Sequence, residues 1–140
     1  MNEPVFRYEM KVRDYECDAQ GIVNNANYQH YYEVARHEFL EMCNLNFKNL
    51  HDKGLDLVVS QVQIKYKTSL LGMDRFLCTI KKIEKKGVRY IFHQEIVRIP
   101  DGQICSMAQI EVVSLVGGKL SKPEFVDNHT EFQRYVESWK

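Results

Sequence analysis

Between Tyr28 and Cys43 the apolar residues recur at helical intervals, while on both sides of that stretch they alternate at period two. Tyr28, Tyr31, Tyr32, Ala35, Phe39, Met42 and Cys43 trace one stripe along a helix. Asn24, Asn25 and Asn27 stand at its start, where a side-chain oxygen can take the free N–H groups of the first turn, so the helix is placed to begin within about two residues of Asn25. Before it, Phe6, Tyr8, Met10 and Val12 alternate with charged residues, as in a half-buried strand. After it come four more strand-like runs: Val62 to Tyr66, Phe76 to Ile80, residues 88–99 and residues 104–115. Short turn signals separate them at Leu71-Gly72-Met73-Asp74, Lys85-Lys86-Gly87 and Pro100-Asp101-Gly102. Connections this short imply antiparallel pairing. A last amphipathic stretch, Thr130 to Trp139, reads as a short helix.

The expected architecture is α+β, one domain over residues 1–140, in the order β-α-β-β-β-β. One helix covers one face of one sheet. The last two long strands are nevertheless apolar at both parities, with Ile91, Val97 and Ile99 in one and Met107, Val113 and Leu115 in the other on the second face. An uncovered apolar face of that extent marks an interface, so a homo-oligomer is expected. The plainer alternative is that these side chains cross over a twisted sheet edge.

Lys plus Arg number 19 and so do Asp plus Glu, which argues against a nucleic-acid partner but leaves room for a local basic patch that holds a phosphorylated small molecule. Cys17, Cys43, Cys78 and Cys105 are scattered and read as buried thiols rather than a disulfide frame or zinc site. The N-terminus has no signal pattern and no apolar run approaches the ~20 residues of a membrane span. Together these point to a cytoplasmic protein.

The densest chemistry lies in DYECDAQGIVNNANY, residues 14–28. A helix N-terminus offers unpaired N–H donors and about half a positive charge, which can hold a carbonyl oxygen as it becomes an oxyanion. A carboxylate just upstream can attack that carbonyl or activate a water. Asp18 lies nearest the Gly21 turn and the helix start, while Asp14 and Glu16 are assigned to the end of the first strand. The plainer reading is a turn acid that binds loop N–H groups.

Tyr15-Glu16-Cys17-Asp18-Ala19-Gln20-Gly21-Ile22-Val23, with Asn27-Tyr28, Tyr32-Glu33-Val34-Ala35-Arg36 and Glu38-Phe39-Leu40, resembles the hotdog-fold thioesterases of the 4-hydroxybenzoyl-CoA and short-chain acyl-CoA type. Tyr66, Asp74 and Lys119-Leu120-Ser121-Lys122-Pro123 continue the likeness. The resemblance implies five antiparallel strands wrapped around one long helix, paired into dimers and often tetramers. It implies Asp18 as the catalytic acid and the Asn25 backbone N–H as the group that polarises a thioester carbonyl. It implies no cofactor, since coenzyme A enters as part of the substrate. The chain departs from the pattern at Asn24 and Asn25, where many relatives carry His or Tyr, and at Ser69-Leu70, where they carry Pro-Ala.

The implied reaction is hydrolysis of an acyl-CoA thioester, with Asp18 as nucleophile or general base. The alternatives are an acyl-ACP thioesterase on the same fold and a non-catalytic acyl-thioester binding protein. A dehydratase is disfavoured because no histidine sits near the turn. Lys81, Lys82, Lys85, Lys86 and Arg89 gather around one hairpin turn and are candidates for the phosphates of coenzyme A, with Lys85, Lys86 and Arg89 preferred. A charged, solvated hairpin tip is the competing reading. Tyr28, and with it Tyr31, is a candidate to flank the acyl group. His30, Glu33 and His37 share a helix face, but two turns separate the histidines, too far for one metal ion. Cys17 has no histidine near it in sequence to activate a thiol nucleophile.

Overall fold

The computed structural model describes residues 3–137. Strand β1 (Phe6–Lys11) leads through a 3-10 turn (Asp14–Glu16) to the long helix α1 (Asn25–Met42) and a short helix α2 (Phe47–Asp52). Then follow β2 (Leu55–Tyr66), β3 (Arg75–Lys86), β4 (Arg89–Ile99), β5 (Ile104–Val116) and β6 (Lys119–Ser121). Two single-turn helices, α3 (Glu124–Asp127) and α4 (Thr130–Gln133), precede a two-residue strand, β7 (Val136–Glu137). The main strands lie in the order β1-β3-β4-β5-β2, all antiparallel, with β6 beside β5 and β7 beside β3. This is the hotdog arrangement, a sheet curled around α1.

The helix holds its place by burying Tyr28, Tyr31, Tyr32, Ala35, Phe39 and Leu40 against the sheet. Facing them stand Phe76, Cys78 and Ile80 from β3, Phe92 and Ile96 from β4, and Ile110 from β5. Phe39 meets Phe6, Phe132 and Tyr135 at ring-centroid distances of 5.7, 6.1 and 5.4 Å. The Tyr32 hydroxyl donates to Ser106 Oγ at 2.7 Å, which satisfies the one polar atom that side chain carries into the core. Register shifts let the sheet curl: the first between Ile80 and Lys82 in β3, others between Val59 and Gln61 in β2 and between Ile96 and Val97 where β4 meets β5. The first also shifts the strand's parity, so that Ile83 takes the helix side where strict alternation from Phe76 would place Lys82 or Glu84, while Glu84 is buried against His93 instead.

Several expectations need correction. Asp14 and Glu16 do not end β1, which stops at Lys11; they form the separate 3-10 turn. Met42 leaves the stripe and is exposed, because at 3.6 residues per turn the buried face drifts to Leu40. The polar stretch before Gly54 contains α2, capped by Asn46, whose side chain accepts from Asn49 N–H at 3.1 Å. The expected helix from Thr130 is only one turn long, because the chain bends back to lay Val136 beside Ile83 of β3; its last two residues, 138 and 139, lie outside the described residues. The second sheet face is mixed rather than apolar, since His93 and Glu95 alternate with Ile91 and Val97. The exposed resource of this fold is an edge instead. Every residue of β2 except Ser60 at the bulge pairs with β5 on one side, and no described strand lies on the other.

The cysteines are free, with Cys43, Cys78 and Cys105 buried. No helix among the described residues is long and apolar enough to cross a membrane. Replacing Phe39 with Ala should destabilise the chain by about 3–5 kcal/mol, the usual range for emptying a buried phenylalanine site. Chemical denaturation monitored by circular dichroism checks this, and a loss below about 1 kcal/mol would contradict the packing described.

Candidate active site

Residues 17–23 form a tight hairpin that delivers the chain from the 3-10 turn to the start of α1. Cys17 bridges Val23, Asp18 N–H donates to the Ile22 carbonyl at 2.9 Å, and Gly21 N–H donates back to the Asp18 carbonyl at 3.0 Å. Gly21 has a φ of +80°, the left-handed conformation a glycine adopts without Cβ strain. The hairpin is tied to the 70–72 loop by Val23 N–H to the Leu70 carbonyl (2.9 Å) and Gly72 N–H to the Gly21 carbonyl (3.2 Å).

A second set of bonds fixes this hairpin to the helix. The Glu16 carbonyl accepts from Asn24 N–H at 3.0 Å and from Asn27 Nδ2 at 2.9 Å. Its carboxylate accepts from the Tyr31 hydroxyl and from Arg13 N–H, both at 2.8 Å. Asn24 is the N-cap: its Oδ1 takes Ala26 N–H at 3.0 Å and its carbonyl takes Asn27 N–H at 2.9 Å. The amide of Asn25, the first helical residue, is left without a partner among the described residues. It is the kind of N–H that an incoming carbonyl oxygen can use.

Asp18 is exposed in the single protomer. Its Oδ1 accepts from Gln20 N–H at 2.8 Å, the Asx-type bond of the plainer reading, and its second oxygen has no partner among the described residues. Tyr15, Tyr66, Leu71 and Met73 are exposed apolar residues, and Leu71 bridges Ile22 of this hairpin. Tyr66, at the end of β2, donates from its hydroxyl to the Asn25 carbonyl at 3.3 Å, so the site borders the unpaired β2 edge.

The other expected site residues are placed differently. Tyr28 does not face a ligand: it is 2% exposed, its hydroxyl accepts from Leu70 N–H at 3.0 Å, and its ring meets Tyr66 edge-on at 5.2 Å. The bulge in β3 splits the basic cluster. Lys85 turns to the helix side, where it pairs with Asp127 and lies 5.6 Å from the Tyr90 ring, pinning the C-terminal segment. Lys86 and Arg89 stay at the hairpin tip, where Arg89 pairs with Glu111 at 3.3 Å. That tip is at the far end of the 12-residue β3 from Arg75 and the 70–74 loop, about 35 Å away at the rise of a strand. These three residues therefore do not reach the Asp18 hairpin of their own protomer.

His37 packs tilted against Phe47 with ring centroids 4.5 Å apart, and among the described residues no cluster of three metal-type donors occurs. Burial, helped by Asp14, Asp18 and Glu16, raises the Cys17 thiol and so disfavours a thiolate nucleophile. Sequence reasoning missed Glu16 as the clamp, because its partners lie 11 and 15 residues away in helix α1. The offset of Glu16 from an N-cap asparagine was visible but carries no general signal.

A family model described as the thioesterase-like superfamily matches residues 12–135. The chain belongs to that superfamily. Among individual members it is similar to the long-chain acyl-CoA thioesterase FadM of Escherichia coli, 30% identical over 107 residues that make up 76% of this chain and 80% of the relative. It is also similar to a chloroplastic acyl-acyl carrier protein thioesterase of Arabidopsis thaliana, 36% identical over 93 residues, 66% of this chain and 49% of that protein. The matched segment thus spans about half the length of the plant relative. Among solved structures, the probable thioesterase YbaW of Escherichia coli superposes with a TM-score of 0.79 at 26% identity, over 94% of this chain and 99% of that one. The Asn24 cap holds the start of α1 in place while the hairpin packs against it. Asn24→Ala should accordingly cost about 1 kcal/mol of stability. Hydrogen exchange should show the Ala26 amide losing protection while the amides of β4 keep theirs; unchanged protection at Ala26 would contradict the cap.

Proposed function

We propose that this protein hydrolyses an acyl thioester, taking the acyl group from coenzyme A to give a carboxylic acid and a free thiol. The observation that carries the reading is the open Asn25 amide at the start of α1, with the half-partnered Asp18 carboxylate in the hairpin hydrogen-bonded to that helix end. The named activities of FadM and the plant enzyme support the same reaction class. In the proposed reaction the free oxygen of Asp18 attacks the thioester carbonyl carbon. The carbonyl oxygen gathers charge against the Asn25 N–H, the thiolate leaves and takes a proton from water, and a second water splits the mixed anhydride to regenerate the carboxylate. One Asp18 oxygen has no partner among the described residues and is free to attack, which tilts the reading towards the nucleophile. The plant relative supports a second reading, in which the thiol carrier is acyl carrier protein.

The site is proposed to be complete only in a homodimer. Antiparallel pairing of two β2 edges would bring the end of β2 near Tyr66 against the Leu55 end of the partner's β2. Val116, Tyr90 and Lys85 lie at that same Leu55 end of the sheet. A partner would therefore set its own Arg89 three strands, and its Lys86 four strands, from the Tyr66 end of this β2, about 14 and 19 Å across the sheet instead of about 35 Å along it. This arrangement keeps Lys86 and Arg89 as candidates for the phosphates of the carrier, contributed across the interface.

Asp18→Asn should lower turnover of the preferred acyl-CoA by roughly 10²–10⁴, read as free thiol released across a panel of acyl-CoA and acyl-ACP substrates. Unchanged rates on every thioester would leave a binding protein in place of an enzyme. Single-turnover hydrolysis in labelled water separates the two roles, since label enters the Asp18 carboxylate only along the anhydride route. Val59→Lys, which puts a charge on the exposed β2 edge, should convert the oligomer to monomers by light scattering and abolish hydrolysis with it. A fully active monomer would refute the shared site.

A further inference from the structure

A cavity of about 300 Å³ lies between the middle of α1 and strands β2, β4 and β5. Leu40, Phe47, Leu57, Phe92, Val112 and Phe132 give it apolar walls. Arg36 is set into that lining, with Glu33 exposed at its rim. Arg36 is 5% exposed, and its single hydrogen bond among the described residues runs from Nη1 to Gln94 Oε1 at 3.1 Å. Gln94 is oriented for this, because its Nε2 donates to the Tyr32 carbonyl at 3.2 Å. No described carboxylate forms an ion pair with Arg36; Glu33, three residues earlier on the helix, is exposed at the cavity's rim, where solvent screens it. The one fully enclosed side-chain polar atom lacking a partner among the described residues is Glu84 Oε2, so the remaining N–H groups of Arg36 are not sealed in protein. They open on the cavity.

A buried cation with one neutral partner is costly unless something else receives its donors. Burial lowers the Arg36 guanidinium to about 10, which leaves it charged near neutral pH, while burial lowers the neighbouring His37 and keeps that ring neutral. With Nη1 given to Gln94, the free edge is Nε–Nη2, the two-pronged face that fits the two oxygens of a carboxylate.

We propose that this cavity binds an apolar molecule carrying a carboxylate, received on the Nε–Nη2 edge of Arg36, with Gln94 as the positioning residue. An apolar cavity of about 150 Å³ already admits benzene, so this one has room for a medium aliphatic chain or an aromatic ring. The carboxylate has two chemical sources: a free carboxylic acid, or the distal carboxyl of an acyl group whose thioester lies elsewhere. Only the second source rests on the hydrolase reading.

Calorimetric titration of the full chain with octanoate and with 1-octanol tests the site. Octanoate should bind at least about tenfold more tightly than the alcohol, and Arg36→Gln should remove that advantage. Equal affinity for the two, or unchanged octanoate binding in Arg36→Gln, overturns the proposal. Should Arg36→Gln fail to fold, the unaltered protein decides: octanoate should shift the Arg36 Nε–H resonance at saturation, and a stationary resonance overturns it. Hydrolysis assays assign the source. A loss of about tenfold or more in kcat/KM for the mono-CoA thioester of octanedioic acid, with octanoyl-CoA within about twofold, supports the acyl carboxyl. Competitive inhibition by octanoate without that selective loss supports the free acid. Absence of octanoate binding alongside an intact Asp18 dependence of hydrolysis overturns this inference and leaves the hydrolase reading standing.

Discussion

Tyr32 and Phe39 have no exposed surface, and the sheet can cover them only by curling around α1. Burying side chains of that size is worth roughly 1.5–3 kcal/mol each, which no contact elsewhere in a chain this short replaces. The curl depends on bulges, and the bulges decide where charges go. In β3 the extra residue near Lys81 sends Lys85 to the helix side, where Asp127 and the Tyr90 ring receive it. The same packing that holds the helix thus also anchors the C-terminal segment and divides the basic hairpin between two faces.

The buried helix presents its N-terminus at one end of the molecule, and the hairpin at residues 17–23 is strapped there by Glu16. That residue joins three levels at once. Its carbonyl holds two asparagines of the helix start, its carboxylate holds Tyr31 inside the core edge, and its position in the chain puts Asp18 two residues on. Catalysis in the proposed sense needs a donor that is rigid and unpaired. The Asn24 cap provides it by satisfying the amides of Ala26 and Asn27 and leaving that of Asn25. The acid itself is exposed in one protomer, beside exposed apolar residues and an unpaired strand edge. Those three features are the ones on which the proposal of a site shared between two copies rests.

The element order and the helix start were legible because periodicity reports burial directly, and burial is what the fold rewards. The Asp18 hairpin was legible because a turn glycine and a cap asparagine act within a few residues of each other. Lys85 was misplaced because alternation is read on the assumption of an unbroken register, and a single inserted residue inverts every later side chain. Tyr28 was misplaced for a different reason: a hydroxyl near a helix start suggests a pocket, yet the Leu70 amide from a loop 42 residues away claims it. Arg36 was visible only as part of a family motif. Nothing in its neighbours along the chain says that it is buried, or that Gln94 takes one of its five donors.

By itself, the sequence determined the long helix and the five main strands, that their pairing is antiparallel, and where a helix N-terminus meets an acidic turn. These are local properties, set by side chains within one or two turns of each other. Tertiary structure alone decided which charges reach the helix face, which tyrosines are core, and that the basic tip and the Asp18 hairpin lie at opposite ends of one protomer. Those outcomes depend on strand register and on contacts between residues tens of positions apart, which the order of residues encodes only through the free energy of the whole packed chain.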